Sequence, residues 1–153
     1  MFIALGMTLL ASGTLHAAGP ERFIEKVRLP SGQTAVVAEG NFEARSIGSF
    51  SVRLYDAASP ADETTFFRAG QVRARNGTVE KVVVADVAGD PRPEIVVIVR
   101  SAGTGGYLSA HAFSFDSRRL VFRAAVEGLP PDADPIAALR RSSGKQKRPA
   151  ARL

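Results

Sequence analysis

The sequence predicts an all-β fold: an antiparallel β-sandwich, flattened and barrel-like, with one short C-terminal helix. Three observations carry this. β-prone runs recur at short intervals with turn signals between them, the spacing of a sandwich or barrel. Phe50, Val52 and Leu54 alternate with Ser51, Arg53 and Tyr55, the period-two mark of a strand with one buried face. Ile95 to Val99 is uniformly apolar and β-branched, as expected of a central strand covered on both faces.

The elements follow in order. Thr34 to Ala38 is a first β-prone run, and the alternating segment around Phe50 is the second. Ala57 to Thr65 reads as a loop, and Phe66 to Val72 as a third strand. Arg75-Asn-Gly-Thr78 carries Asn-Gly, a strong hairpin signal, so it should pair the third strand with Thr78 to Ala85. After Ile95 to Val99 comes a glycine-rich joint, then Tyr107 to Phe115. Asp116 to Arg119 turns the chain into Leu120 to Val126. Gly128-Leu-Pro-Pro-Asp132 stops the sheet. Asp134 can cap a helix with Pro135 in its first position, followed by Ile136 to Arg140. Ile136 and Leu139 would pack that helix on the sheet. No internal repeat and no second domain is visible.

The ends differ from this body. Met1 to Leu15 is apolar but too short to span a bilayer, and small residues at Ala17 and Ala18 suit signal-peptidase cleavage. Residues 1–18 are therefore expected to be a signal peptide, although no Lys or Arg precedes the apolar run. A buried first strand or helix is the alternative. Cleavage after Ala18 leaves residues 19–140 as one domain, large enough for a real core. It also leaves no segment for stable membrane insertion, and the expected location is the periplasm.

Residues 140–153 hold six of the 20 basic residues and no acid; elsewhere 14 basic residues face 15 acidic ones. The formal charge of +5 thus belongs to a tail, not to a face of the domain. Residues 141–153, with Ser142, Ser143, Gly144 and Pro149 and no apolar period, read as disordered. Such a tail suits anionic lipid or polysaccharide, or is simply a solvated end. A nucleic-acid arm conflicts with export.

Composition narrows the chemistry. The chain has no cysteine, which removes thiol nucleophiles, thiolate metal sites and disulfide exchange. Beyond residue 18 the sole histidine is His111, so sites built on several histidines are excluded, and a packed strand histidine is its ordinary reading. Asp86, Asp90 and Glu94 resemble a calcium loop only superficially. Ala88 offers no side-chain oxygen between the two aspartates, and two prolines stiffen the approach of Glu94. The alternative is a turn whose aspartates bond to backbone amides. The acids fall into no two-carboxylate glycosidase frame. No catalytic residue, cofactor or metal site is assigned, and the expectation is a protein that is not an enzyme.

The joint Arg100-Ser-Ala-Gly-Thr-Gly-Gly-Tyr-Leu108 is the most informative segment. Gly103, Gly105 and Gly106 permit φ > 0 and close approach of a partner to the backbone. Thr104 and Tyr107 place two hydroxyls on one short projection, suited to entering a polar cleft. A hairpin loop that needs glycine only to turn is the plainer alternative. Gly103-Thr-Gly-Gly is no phosphate loop, because no lysine follows and a strand, not a helix, comes next. Arg100 and Ser101 either support the projection from beneath or merely end a strand.

Three segments extend this reading: Glu39 to Tyr55; Val79 to Asp86 with Pro93 to Ser109; and Ala133 to Leu139. In order and spacing they resemble the bacterial periplasmic inhibitors of I-type (invertebrate) lysozyme. The resemblance implies a β-sandwich, a homodimer and lysozyme as partner. It also implies a Ser-Gly-x-Tyr loop that enters and blocks the lysozyme cleft. The matching positions are Thr104, Gly105 and Tyr107, with threonine where the family has serine. The extra methyl stiffens χ1 at the tip. Under this resemblance the loop 101–107 would be inhibitory. The alternative function is a periplasmic module that binds glycan or an envelope protein through the same loop.

If residues 1–18 are a leader, intact-mass measurement of periplasmic material will give a chain beginning near Ala18 or Gly19. Full-length protein confined to the cytoplasm would overturn the export assignment.

Overall fold

Each sheet is a simple meander. The computed structural model describes residues 21–146; the expected leader over 1–18 and the chain end beyond 146 lie outside the described residues. In the first sheet β1 (Ile24–Arg28), β2 (Thr34–Glu39), β3 (Ile47–Asp56) and β4 (Phe66–Asn76) pair antiparallel in that order. In the second, β5 (Thr78–Ala85), β6 (Glu94–Arg100), β7 (Leu108–Phe115) and β8 (Leu120–Leu129) do the same. Helix α1 (Pro135–Gln146) closes the chain. The all-β sandwich read from the sequence is the observed architecture. Its barrel-like character stops short of closure: Gln71 of β4 donates to the Leu120 carbonyl of β8 at 2.8 Å, but the two strands share no ladder.

The buried face of β3 is the one the alternation predicts, with Phe50, Val52 and Leu54 wholly buried. They meet Val37 of β2 and Ile95, Val97, Val99 and Phe113 of the second sheet in one cluster between the sheets. The even-numbered Val96 and Ile98 point the other way, into a second cluster with Leu108, Ala110 and Leu139 beneath α1. A strand sandwiched between a sheet and a helix has no solvent face, and that is why Ile95 to Val99 shows no alternation. Each such aliphatic side chain contributes about 1.5–3 kcal/mol on burial. The helix begins as its sequence requires. Asp134 Oδ1 accepts from the amides of Ile136 (2.9 Å) and Ala137 (3.1 Å), and Pro135 fills the first helical position.

Three expectations need correction. First, Asn76-Gly77 does not close a hairpin. β4 ends at Asn76 and β5 begins at Thr78, but they belong to different sheets, already paired with β3 and β6. Gly77 alone carries the chain across. It adopts φ +117°, donates to the Ser46 carbonyl at 2.8 Å, and passes so near β6 that a Cβ would lie 1.9 Å from the Arg100 oxygen. Second, β1 was not legible. Its side chains are mostly exposed, and its pairing with β2, from Ile24↔Ala38 to Arg28↔Thr34, supplies the order that its composition does not. Third, the helix runs past Arg140 to Gln146, so residues 141–146 are helical where disorder from 141 onward was expected. Once nucleated and docked, the helix continues through Ser142, Ser143 and Gly144 despite their poorer propensity, and cations near its C-terminus complement the helix dipole.

The sheet crossing is held by a buried ion. The Arg75 side chain is fully buried at the end of β4. It donates to the carbonyls of Ser49 (3.0 Å), Arg45 (2.8 Å), Ala44 (3.1 Å) and Gly77. Two carboxylates face it: the partly exposed Glu43 at 3.8 Å and the buried Glu39 at 3.9 Å, whose Oε1 accepts the Val79 amide at 2.7 Å. One charge pair therefore binds the end of β2, the end of β4 and the start of β5.

Removing one member of a buried pair leaves the other uncompensated, at a typical cost of about 3–5 kcal/mol. Arg75→Ala should lower the unfolding free energy by about that amount in a denaturant titration. A loss below about 1 kcal/mol would mean that the ladders and Gly77 hold the corner unaided.

Candidate functional site

The glycine-rich joint is a braced hairpin. Arg100 and Leu108 pair across β6 and β7, and the Ser101 amide donates to the Tyr107 carbonyl at 2.8 Å, carrying the ladder one step further. The Gly106 amide closes the tip on the Gly103 carbonyl at 3.1 Å. Two of the three glycines are required. Gly106 sits at φ +55°, in the left-handed region. At Gly105 a Cβ would fall 2.4 Å from Cε2 of Tyr107, so the ring lies against a backbone that only glycine leaves bare. Gly103 has no such neighbour.

The two hydroxyl residues are presented outward. Thr104 is exposed at the tip. Tyr107 precedes β7 instead of opening it, and 53% of its surface is free, which is inconsistent with an anchor of the sheet core. The loop thus holds its tyrosine in place by packing on Gly105 while leaving the ring accessible.

Arg100 lies beneath. Its Nη1 donates to the Gly106 carbonyl at 2.9 Å, while Nε and Nη2 fork onto the Glu80 carboxylate, Nη2 to Oε1 at 3.1 Å. These bonds link the loop backbone to β5 through one side chain. Its hydrogen bond to Glu80 raises the guanidinium pKa further above its ordinary value. A partly exposed pair adds little global stability. Its effect is local, fixing the loop against β5. Ser101 contributes its amide, while its buried Oγ has no partner among the described residues.

Glu80 was not singled out from the sequence. It occupies a register shift in the β5–β6 pairing, where Val79 faces Val99 but Lys81 faces Ile98. A bulge of this kind re-aims the extra side chain, and nothing in the local composition announces it. Gly77 was likewise read as a turn residue, yet its backbone lies against Arg100 and Ser101, at the root of the loop.

The remaining candidates fall elsewhere. His111 is buried, its ring 5.3 Å from that of Phe50 and edge-on to it. Burial pushes its pKa down; Glu127 opposes this and Arg73 adds to it. It is a packed histidine. Asp86 accepts the Gly89 amide (2.8 Å), Asp90 the Arg92 amide (2.9 Å), and Glu94 the Val87 amide (3.0 Å). These three carboxylates organise the β5–β6 turn. Among the described residues no three or more acidic or histidine side chains converge as a metal site.

The chain is similar to known proteins in sequence and fold. Residues 21–143 match the family model described as periplasmic lysozyme inhibitor of I-type lysozyme. The crystal structure of that inhibitor from Aeromonas hydrophila is 43% identical, with a TM-score of 0.72, over 76% of this chain and 98% of that one. The Aeromonas hydrophila inhibitor in complex with Meretrix lusoria lysozyme is also 43% identical, with a TM-score of 0.71, over 77% of this chain and 95% of the other. Curated protein sequences give no significant match. On the strength of the family match, which spans nearly all described residues, this chain belongs to the periplasmic lysozyme inhibitors of I-type lysozyme.

Proposed function

We propose that this protein inhibits I-type lysozyme in the periplasm by inserting the hairpin tip 101–107 into the enzyme's cleft. The observation that carries the reading is the tip itself: Thr104 and Tyr107 exposed on a hairpin closed by two backbone bonds and braced by Arg100. A lysozyme cleft holds a catalytic acid and a carboxylate. The hydroxyls of Thr104 and Tyr107 donate to those oxygens. A hydrogen bond to a charged acceptor contributes roughly 1.5–3 kcal/mol. Of the glycine amides, that of Gly106 is already spent on Gly103 and is not available to the enzyme.

Preorganisation supports tight binding. A loop already closed and braced loses little conformational entropy on insertion. Inhibition by occupancy requires no chemistry from the inhibitor, and the protein acts as a non-enzyme. A homodimer belongs to the same reading. The exposed apolar residues Phe66, Phe67 and Val72 of the edge strand β4 support it, as surface for a second copy to cover.

Thr104→Ala and Tyr107→Phe should each weaken inhibition by roughly 1–3 kcal/mol, about five- to 150-fold, with unchanged melting curves. Thr104→Ser should inhibit at least as well as the parent, since it drops a methyl from the tip. Inhibition constants and melting temperatures measured in parallel decide this. Parent-like inhibition by both hydroxyl-deleted variants would place the contact elsewhere.

Arg100→Gln removes the fork on Glu80 while keeping a donor for Gly106. It should weaken inhibition about three- to tenfold through a looser tip, with little change in stability. Lysozyme turbidity assays measure the first and thermal melts the second. Equal inhibition would show that the backbone bonds alone fix the tip.

A further inference from the structure

A second loop stands beside the first. Residues 40–46 link β2 to β3, and at their centre Phe42 is fully exposed, at 105% of its reference surface, with φ +63°. A bulky residue in the left-handed region is a genuine outlier, and such a conformation is strained. Among the described residues nothing repays it, because the ring is fully exposed.

The surrounding loop is built to hold this conformation. The Glu43 carboxylate accepts the Ser49 amide (2.5 Å) and the Ser49 hydroxyl (2.7 Å), and these bonds hold its pKa below the usual carboxylate value. It lies in a notch between two glycines; a Cβ at Gly40 or Gly48 would come within 2.5 or 2.3 Å of its carboxyl group. Arg75 holds the Ala44 and Arg45 carbonyls, and Arg22 donates to the Glu43 carbonyl. Glu43, Ala44 and Arg45 are thus held by hydrogen bonds on one side of Phe42, while its ring is exposed.

Its position gives the strain a use. The loop ends at Ser46, whose carbonyl accepts the Gly77 amide, and Gly77 in turn lies against Arg100 and Ser101. Loops 40–46 and 101–107 therefore rise from the same end of the sandwich, on either side of the sheet crossing. We infer that Phe42 is a second lysozyme contact, seated on apolar surface at the rim of the cleft that loop 101–107 enters. The inference rests on the proposed insertion of that loop. Large aromatic side chains that become buried on association are over-represented among the residues that carry interface binding energy.

The test is a matched set of variants assayed against a purified I-type lysozyme, with inhibition constant, melting temperature and sedimentation measured on each. Phe42→Ala and Phe42→Gly should weaken inhibition about five- to thirtyfold. Phe42→Gly should melt no lower than the parent, because glycine takes φ +63° without strain and no packing is lost. Inhibition within twofold of the parent for both variants overturns the inference, as does a loss that merely follows a fall in melting temperature. A change in self-association at unaltered inhibition also overturns it, assigning Phe42 to a second copy of the chain. Thr104→Ala and Tyr107→Phe run alongside. If they fail to inhibit while the Phe42 variants inhibit normally, the second contact falls and the loop reading stands. If the reverse holds, the loop reading falls, and Phe42 is a contact without it.

Discussion

The buried guanidinium of Arg75 is the constraint on which the rest of the structure depends. The chain must leave one sheet and enter the other through a single residue, Gly77. Arg75 bonds to the Gly77 carbonyl at that crossing and to the carbonyls of Ala44, Arg45 and Ser49 in and beside the β2–β3 loop, tying the two together. Glu39 and Glu43 balance its charge, and Glu39 takes the Val79 amide near the start of β5. Burying two ions is expensive, and a pair of this kind is weak grounds for stability as such. What it supplies is register: β2, β4 and β5 meet in one arrangement because the guanidinium fork fits one set of carbonyls.

That corner also positions the functional end of the molecule. The root of loop 101–107 lies against Gly77, and the root of loop 40–46 bonds to it. Two projections thus share one foundation. The hydrophobic core between the sheets fixes the strands, and the second cluster beneath α1 seals the far face of β6. Against that rigid base, small local devices suffice at the tip: two backbone bonds, a glycine under a tyrosine ring, and a forked arginine. None is worth much to global stability, since exposed pairs contribute little. Their value lies in presenting two hydroxyls with little entropy left to lose.

An inhibitor of this design leaves a particular signature. The residues proposed to meet lysozyme are not the buried titratable groups that mark catalytic sites. His111 and the carboxylates of the β5–β6 turn serve packing and turn geometry. The informative groups are exposed: Tyr107, whose ring lies against Gly105, and Phe42, whose backbone adopts a conformation that its side chain disfavours.

Much of this was legible in the sequence, because burial writes a periodic pattern. The alternation at Phe50 to Leu54, the unbroken run at Ile95 to Val99, the Asp134-Pro135 helix start and the glycine-rich tip each encode a local requirement, and the resemblance joined them into a family. What the sequence could not determine were the features set by partners distant along the chain. β1 is ordered by β2 and not by its own composition. Asn76-Gly77 has the chemistry of a hairpin, yet both flanking strands find better partners, so the glycine crosses between sheets. The bulge that turns Glu80 toward Arg100 is a property of register. The propagation of α1 beyond Arg140 follows from its docking on the sheet. Local pattern decides which face of each element is apolar; only the tertiary structure decides which element that face meets, and so where the polar groups left over are brought together.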